Sequence, residues 1–547
     1  MTAQRTDFDF IVIGSGFGGA VSALRLAEKG YSVAVLEMGK RVEDEDYPKS
    51  SWQIRKFLWM PKLMLHGIFQ MTWLKDVLVF HGAGVGGGSL VYANTLLVPP
   101  AAAFRDPRWP TDEDWGAKLG PYYDLAKFML GATVAKNTYP ADELLRQVVE
   151  EKTGAECIAH RNMVGVYFGE SGVMTDDPYY GGEGPSRTGC IECGACMIGC
   201  RYNAKNTLDK NYLYLAENRG VQIVPETRVV DLRPAEGGGY VLDTVRSTAL
   251  FRKAPRIFTA RNVVVSASVL GSVGLLSRCK ERGSLLRLSD RLGDYVRTNN
   301  EAILAVTAND TTVDYGKGIA ITSGVHPDEH THVEIVRYGS YGNSMRWLFT
   351  LMTGAGAPWP RWLRLLGNIV RHPVRFLKSL SPVRWSQRTS IVLVMQPLSS
   401  HLRLRLRNTI FGKRLDTEQA EGQDVPKYIP IANEITQRLA DKMGGMPQSL
   451  TLEAVGNTSS TAHILGGATM GRSPEEGVCD EYGRVFGYEN LYIADGSIVP
   501  ANLGVNPSLT ITALAEYVMS QIPAKPGAEQ KPAPRPEPKK IIVEAAH

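Results

Sequence analysis

The sequence predicts a mixed α/β fold, and three observations carry that prediction. The chain opens on a strand–turn–helix–strand unit; strand-like and helix-like segments then alternate, with glycine turns between them; and no repeat at a period of roughly 20 to 50 residues signals a solenoid or propeller. In the opening unit the apolar run 8–13 reads as a strand, residues 20–29 as a helix stopped by Gly30, and 32–36 as a second strand closed by Glu37. Residues 111–151 turn helical, 227–248 read as short strands about a turn at 237–239, and the apolar strand 262–267 runs into a small-residue turn and helix. A last strand, 491–494, leads to a loop and a helix ending near Ile522. From Pro523 onward Pro and Lys accumulate without apolar periodicity, which reads as a disordered tail.

Size and charge narrow the function. A chain of 547 residues exceeds what one hydrophobic core holds, so two or more domains are expected. The net charge of +5 is small for that length and leaves no global footprint for nucleic acid, so no nucleic-acid partner is expected. The polar lead before the first strand lacks the basic, apolar and small-residue parts of a signal peptide, and no apolar run reaches the length of a spanning helix. Seven cysteines are too few for a disulfide framework, and the expectation is a reducing, cytoplasmic compartment.

Gly14-Ser15-Gly16-Phe17-Gly18-Gly19 follows a strand and opens a helix, so backbone N–H groups and the helix dipole can meet a pyrophosphate with no Cβ in the way. Glu37 ends the second strand, where a carboxylate can accept both ribose hydroxyls of a dinucleotide. The candidate cofactor contacts are therefore Gly14, Gly16, Gly19 and Glu37. A second cluster, Gly84-Val85-Gly86-Gly87-Gly88-Ser89, calls for unusual dihedrals or a close approach, because glycine weakens ordered backbone otherwise.

Toward the C-terminus, His463-Ile464-Leu465-Gly466-Gly467 precedes Tyr492-Ile493-Ala494-Asp495-Gly496-Ser497 and then Asn502-Leu503-Gly504-Val505-Asn506-Pro507-Ser508-Leu509-Thr510. With the two glycine clusters, these motifs resemble the glucose-methanol-choline (GMC) oxidoreductases from residue 8 to about 517, and within that family its cholesterol oxidases. Residues 51–100, with Arg55-Lys56-Phe57-Leu58-Trp59, are most similar to the mycobacterial ones. The resemblance implies FAD lying along both glycine clusters in a Rossmann-type domain made of residues 1–100, 186–300 and 456–522. An α+β substrate domain, 101–185 and 301–455, would roof the flavin with a sheet, and 523–547 would be the tail. Further FAD contacts are implied at Gly87, Gly88, Ser89, Asn94, Val229, Asp495, Gly496, Pro507 and Ser508. One departure bears on oxygen access and flavin contacts, since Leu90-Val91-Tyr92-Ala93-Asn94 stands where the best-known cholesterol oxidases have asparagine and glycines; Ser268 in place of a usual glycine is a milder change.

An alcohol carbon gives up hydride readily only when its hydroxyl proton is removed or strongly hydrogen-bonded as the carbonyl forms, and a positioned His does this near neutral pH. By resemblance His463 is that residue, facing the flavin N5. Asn506-Pro507 reads as a helix start, with Asn as N-cap and Pro at the first helical position. That N-terminus would favour negative charge around N1 and the C2 carbonyl of reduced flavin, and by resemblance Asn506 also orients the substrate. The resemblance further implies a glutamate base that moves the double bond after sterol oxidation. Glu334 is the candidate and Glu301 the competing choice, while either could be an ordinary partner of an arginine. The expected activity is FAD-dependent oxidation of a hydrophobic secondary alcohol, foremost the 3-hydroxyl of cholesterol or a related sterol, to a ketone, with oxygen or another electron acceptor. Two alternatives stand beside it: a dehydrogenase of another lipid or polycyclic alcohol using a non-oxygen acceptor, and a membrane-associated redox-sensing or binding protein.

Two features fall outside that scheme. Cys190, Cys193, Cys196 and Cys200 have the ligand spacing of a bacterial ferredoxin cluster, although Arg201 stands where proline normally follows. They are candidate iron–sulfur ligands, with zinc or plain thiols as the alternatives. Residues 345–388 carry eight Arg or Lys and no acid, interleaved with Trp347, Trp359, Trp362, Phe376 and Trp385. Trp362, Leu365, Leu366, Ile369 and Val370 can share a helix face with Arg364 and Arg371 outside it, which suits either a peripheral membrane contact or a packed helix with a basic solvent face.

Overall fold

The computed structural model describes residues 6–157, 160–251, 253–355, 358–410, 412–422 and 424–536. Two seven-stranded sheets organise these residues. In the first, Phe8–Ile13 lies between Val33–Leu36 and Arg256–Val265 and runs parallel to both; Gln222–Val224 and Leu491–Ile493 extend the parallel part. Its central strands are runs of Val, Ile and Leu because they are buried throughout, as parallel strands are. The strand expected at 262–267 is longer: residues 256–260 pair antiparallel with Tyr240–Arg246 before the chain enters the parallel core. Arg261 and Asn262 separate that first half from the apolar run that follows, so the two do not read as one strand in sequence.

The first helix, Phe17–Glu28, starts three residues before the expected 20, capped by Gly16. It packs along the C-terminal helix Ser508–Ser520, where Arg25 makes two 2.7 Å bonds to the buried Glu516 carboxylate. A fork-shaped pair of this kind, with both charges out of water, fixes the angle between the two helices.

The second sheet is antiparallel, in the order Phe349–Leu351, Gly445–Leu450, Ala302–Ala308, Thr389–Met395, Thr331–Val336, Ser323–Asp328, His160–Arg161. Strand alternation divides its residues between two cores. Leu304, Val306, Val333, Ile335, Val392 and Val394 face the helices Pro140–Thr153 and Pro430–Lys442, while Ala305, Val336, Ile391, Leu393 and Met395 face the other way. Glu334, two residues from Val336, belongs to that second face.

The expected disordered tail is corrected for residues 523–536. Lys525 donates its N–H to the Lys29 carbonyl and Lys531 to that of Glu28, both at the end of the first helix. Ala533 is buried with its N–H on the Glu28 carboxylate at 2.6 Å. Main-chain bonds of this type need no apolar periodicity, which is why composition misread the segment. Residues 537–547 lie outside the described residues. Among those described, no helix is long and apolar enough to cross a membrane.

Candidate active site

His463 follows the short strand Ser459–Thr461, which pairs in parallel with Val77–Gly82. Its Nδ1 is hydrogen-bonded to Glu301 Oε1, and the other oxygen of Glu301 accepts the Ala462 N–H at 2.8 Å. Glu301, its side chain fully buried, leads into the strand Ala302–Ala308 of the second sheet. The carboxylate thus fixes the imidazole from behind and leaves Nε2, on the side of Asn506, as the working nitrogen. Burial opposes a charge on His463, but the charge and hydrogen bond of Glu301 outweigh it, and Glu334 adds to them, so its pKa lies above that of an ordinary histidine.

Asn506 reaches the same point from the C-terminal segment. Its Nδ2 lies 3.5 Å from His463 Nε2 and donates to Glu334 Oε2 at 3.2 Å. Its Oδ1 is buried and has no hydrogen-bond partner among the described residues. The expectation that Asn506 caps the helix is corrected: Pro507 is the N-cap and the helix begins at Ser508. Released from capping, the amide is available to the site. Glu334 is wholly buried, and Asn162 Nδ2 donates to its other oxygen at 2.7 Å. Burial pushes the Glu334 carboxyl up to about 7, against the downward pull of Asn506, His463 and Asn162.

The glycine clusters meet backbone to backbone. Gly14 has φ +101°, and a Cβ there would lie 2.4 Å from the Ser266 carbonyl oxygen; one on Gly87 would lie 2.7 Å from the Gly16 Cα. A Cβ on Gly16, by contrast, would meet nothing within 4 Å, so open space fronts the turn at the helix N-terminus. Glu37 is buried, accepting the Ser15 N–H at 3.0 Å, the Ser15 hydroxyl at 2.7 Å and the Gly39 N–H at 2.7 Å. Ser15 Oγ in turn accepts the Gly86 N–H at 3.1 Å, joining both clusters through one carboxylate. Gly19 and Gly88 flank this junction, and Ser89 Oγ donates to the Gly86 carbonyl at 2.7 Å. Asn94 is buried at φ +71° with its carbonyl oxygen unpartnered among the described residues. Val229 sits at a bulge in the strand Thr227–Pro234, whose first N–H bonds to the Glu37 carbonyl. Asp495, also buried, accepts from Ser272 Oγ at 2.6 Å and from the Ser497 N–H at 2.8 Å; Gly496 follows it, and Pro507 and Ser508 form the helix entry. The open space at Gly16 and the unpartnered buried acceptors fit a dinucleotide with polar edges.

The cysteine loop does not fit its expected group. Cys190, Cys193, Cys196 and Cys200 are free and half-buried, and among the described residues no set of three or more His, Cys, Asp or Glu is placed to hold a metal ion. Burial and neighbouring cysteines push the thiols of Cys190 and Cys193 up, and burial raises that of Cys196.

The GMC oxidoreductase family matches residues 411–515, and an NAD(P)-binding Rossmann-like domain matches residues 12–42. A cholesterol oxidase of Acinetobacter baumannii is 44% identical over 540 residues, covering 97% of both chains. The chain belongs to the GMC oxidoreductases. It is an FAD-dependent oxidoreductase acting on CH–OH groups. A cholesterol oxidase of Mycobacterium tuberculosis is likewise 44% identical, over 100% of this chain and 96% of the relative. The fold is shared with a pyridoxine 4-oxidase from Mesorbium loti at TM-score 0.60 and 14% identity, covering 94% of this chain and 98% of the other.

Sequence reasoning missed Asn162 altogether and named Glu301 only as a rival to Glu334. A single asparagine has no periodicity to flag it. Glu301 did carry a signal, because it closes the polar run Asn299-Asn300-Glu301, which is buried and takes positive φ at both asparagines (+58° and +43°).

Proposed function

We propose that this GMC oxidoreductase oxidises the 3-hydroxyl of cholesterol or a closely related sterol to the ketone and then shifts the ring double bond into conjugation, with oxygen as the final electron acceptor. The observation that carries the reading is the convergence of His463, Asn506 and Glu334 within hydrogen-bonding reach, with Glu301 behind the histidine. The full-length identity to proteins named cholesterol oxidase supports the substrate.

Gly14, Gly16, Gly19, Gly87, Gly88, Ser89 and Asp495 would hold FAD, which supplies the hydride acceptor when bound. His463 Nε2 takes the hydroxyl proton, and the adjacent Glu301 stabilises the resulting imidazolium. Asn506 holds the alcohol oxygen beside it. Glu334, held by two neutral amides and titrating near 7, is the base that carries a proton from C4 to C6 of the product. The protein is assayed aerobically with cholesterol in detergent, following oxygen and product together. Oxygen uptake matched by conjugated enone supports the reading; reduction of a dye without oxygen uptake would make the enzyme a dehydrogenase.

Residues 345–388 give the substrate a route. On the helix Arg361–Arg371, Leu365 packs inward with Leu351 and Ala454, while Trp362, Leu366 and Val370 point out, Val370 being 79% exposed. Val374 and Leu377 on the next helix, Pro373–Ser379, continue the outward apolar stripe, and Arg371, Arg375, Lys378 and Arg384 of the same segment are exposed. An outward stripe ringed by cations matches an anionic lipid surface, from which a sterol would enter.

A further inference from the structure

Oxidation of an alcohol releases one proton with every hydride, and that proton must leave the buried site. Glu301 and Glu453 line one cavity of about 10 Å³ behind His463, room for roughly one water. Glu453, on the helix Thr451–Gly456, accepts a 2.6 Å hydrogen bond from Ser460 Oγ. Ser460 lies in the strand that ends just before His463, and Glu301 holds Ala462 and His463 themselves, so both carboxylates are tethered to the same short segment. Arg361 lines the cavity as well, donating to the Lys427 carbonyl at 2.6 Å, and Lys427 and Tyr428 stand half-buried at its outer side. Burial pushes the Glu453 carboxyl up to about 7, while Ser460 and Arg361 pull it back. A group of that kind gains and loses a proton near neutral pH.

We propose that Glu301, a water held in the shared cavity and Glu453 form the path by which the substrate's hydroxyl proton leaves the site, past Lys427 and Tyr428, to solvent. The alcohol O–H bond breaks as its proton joins His463 Nε2, and the proton on Nδ1 passes to Glu301. One proton then crosses the cavity to Glu453 and leaves. The carbon-bound hydrogen departs separately with its electron pair, so each flavin reduction moves one proton along the path and restores both carboxylates, while His463, left with its proton on Nε2, regains the Nδ1–H form by proton exchange with water once the ketone has gone.

The proposal rests on His463 being the base of the oxidation. Its test uses the FAD-loaded enzyme mixed anaerobically with cholesterol in detergent, comparing wild type, Glu453→Gln, Glu453→Asp and His463→Gln. Glu453→Gln should slow flavin reduction about tenfold at unchanged KM and melting temperature. Wild-type rates should rise with pH through about 7, as Glu453 becomes able to accept a proton; the groups facing it are Arg361, Lys427, Tyr428 and Glu301. That rise should vanish in Glu453→Gln and persist in Glu453→Asp, which also keeps the proposal open to refutation if the glutamine variant fails to fold. Infrared difference spectra should show a protonated-carboxyl band in the wild type that is missing from Glu453→Gln. Wild-type rates, pH profile and infrared signal in Glu453→Gln, beside a collapsed His463→Gln, would overturn the proton path alone. An unimpaired His463→Gln would overturn the reading of the site itself.

Discussion

Glu301 and Glu334 flank the same histidine–asparagine pair, both buried, yet their surroundings assign them different work. Glu301 bonds a ring nitrogen that can carry positive charge, and it raises that nitrogen's affinity for a proton. Glu334 is hydrogen-bonded by the neutral amides of Asn506 and Asn162, with His332 Nε2 3.9 Å away, and burial lifts its own pKa to about 7. The difference teaches that a carboxylate's partner, more than its depth, decides whether it works through a neighbouring histidine or as a base in its own right.

Removing the histidine side of this comparison should have the largest effect. His463→Ala should cut the rate of anaerobic flavin reduction by about 10²–10⁴-fold, and Glu301→Gln should follow it within that range, since the imidazolium loses its counter-charge. A Glu301→Gln enzyme that reduces flavin at the wild-type rate would place the two carboxylates on an equal footing. Asn506→Ala touches both sides: stopped-flow reduction should slow by about 10²-fold, and Glu334 should titrate higher once its amide donor is gone.

A smaller effect is expected at the outward helix stripe. Replacing Trp362 and Leu366 together by Glu should weaken cosedimentation with phosphatidylserine vesicles roughly tenfold or more while leaving turnover in detergent unchanged. Equal sedimentation of the variant would remove the lipid surface from the account.

A further effect is one of stability. Glu334 has a folded pKa above its unfolded value, so its contribution is fully present below about 4.5 and is lost as pH rises through about 7. Chemical denaturation should therefore show Glu334→Gln gaining on the wild type as pH climbs through that window, by roughly 3 kcal/mol at the upper end. A constant gap between the two would mean that Glu334 does not titrate in this range.

The nucleotide half of the molecule was the more legible in sequence. Gly14 and Gly87 are demanded by backbone approaches of 2.4 and 2.7 Å that no other residue permits, and such demands leave a mark in composition. His463 and Asn506 were found through their motifs, though the helix entry shifted by a residue and changed what Asn506 does. Asn162 was illegible because its meeting with Glu334 joins positions 172 residues apart, a product of sheet topology alone. The separation of Glu301 from Glu334 was illegible for the same reason: one acid precedes a strand and the other lies within one, and only the tertiary fold decides which bonds the histidine ring. Tail residues 523–536 were misread because they are fastened through backbone groups rather than an apolar face.

The most direct test follows two signals in one anaerobic turnover of Glu334→Gln with cholesterol: loss of the oxidised flavin band and growth of the conjugated-enone absorbance. Flavin should bleach near the wild-type rate while the unconjugated ketone accumulates without enone. Enone formed at the wild-type rate, or flavin that fails to bleach, would contradict the division of labour between the two carboxylates.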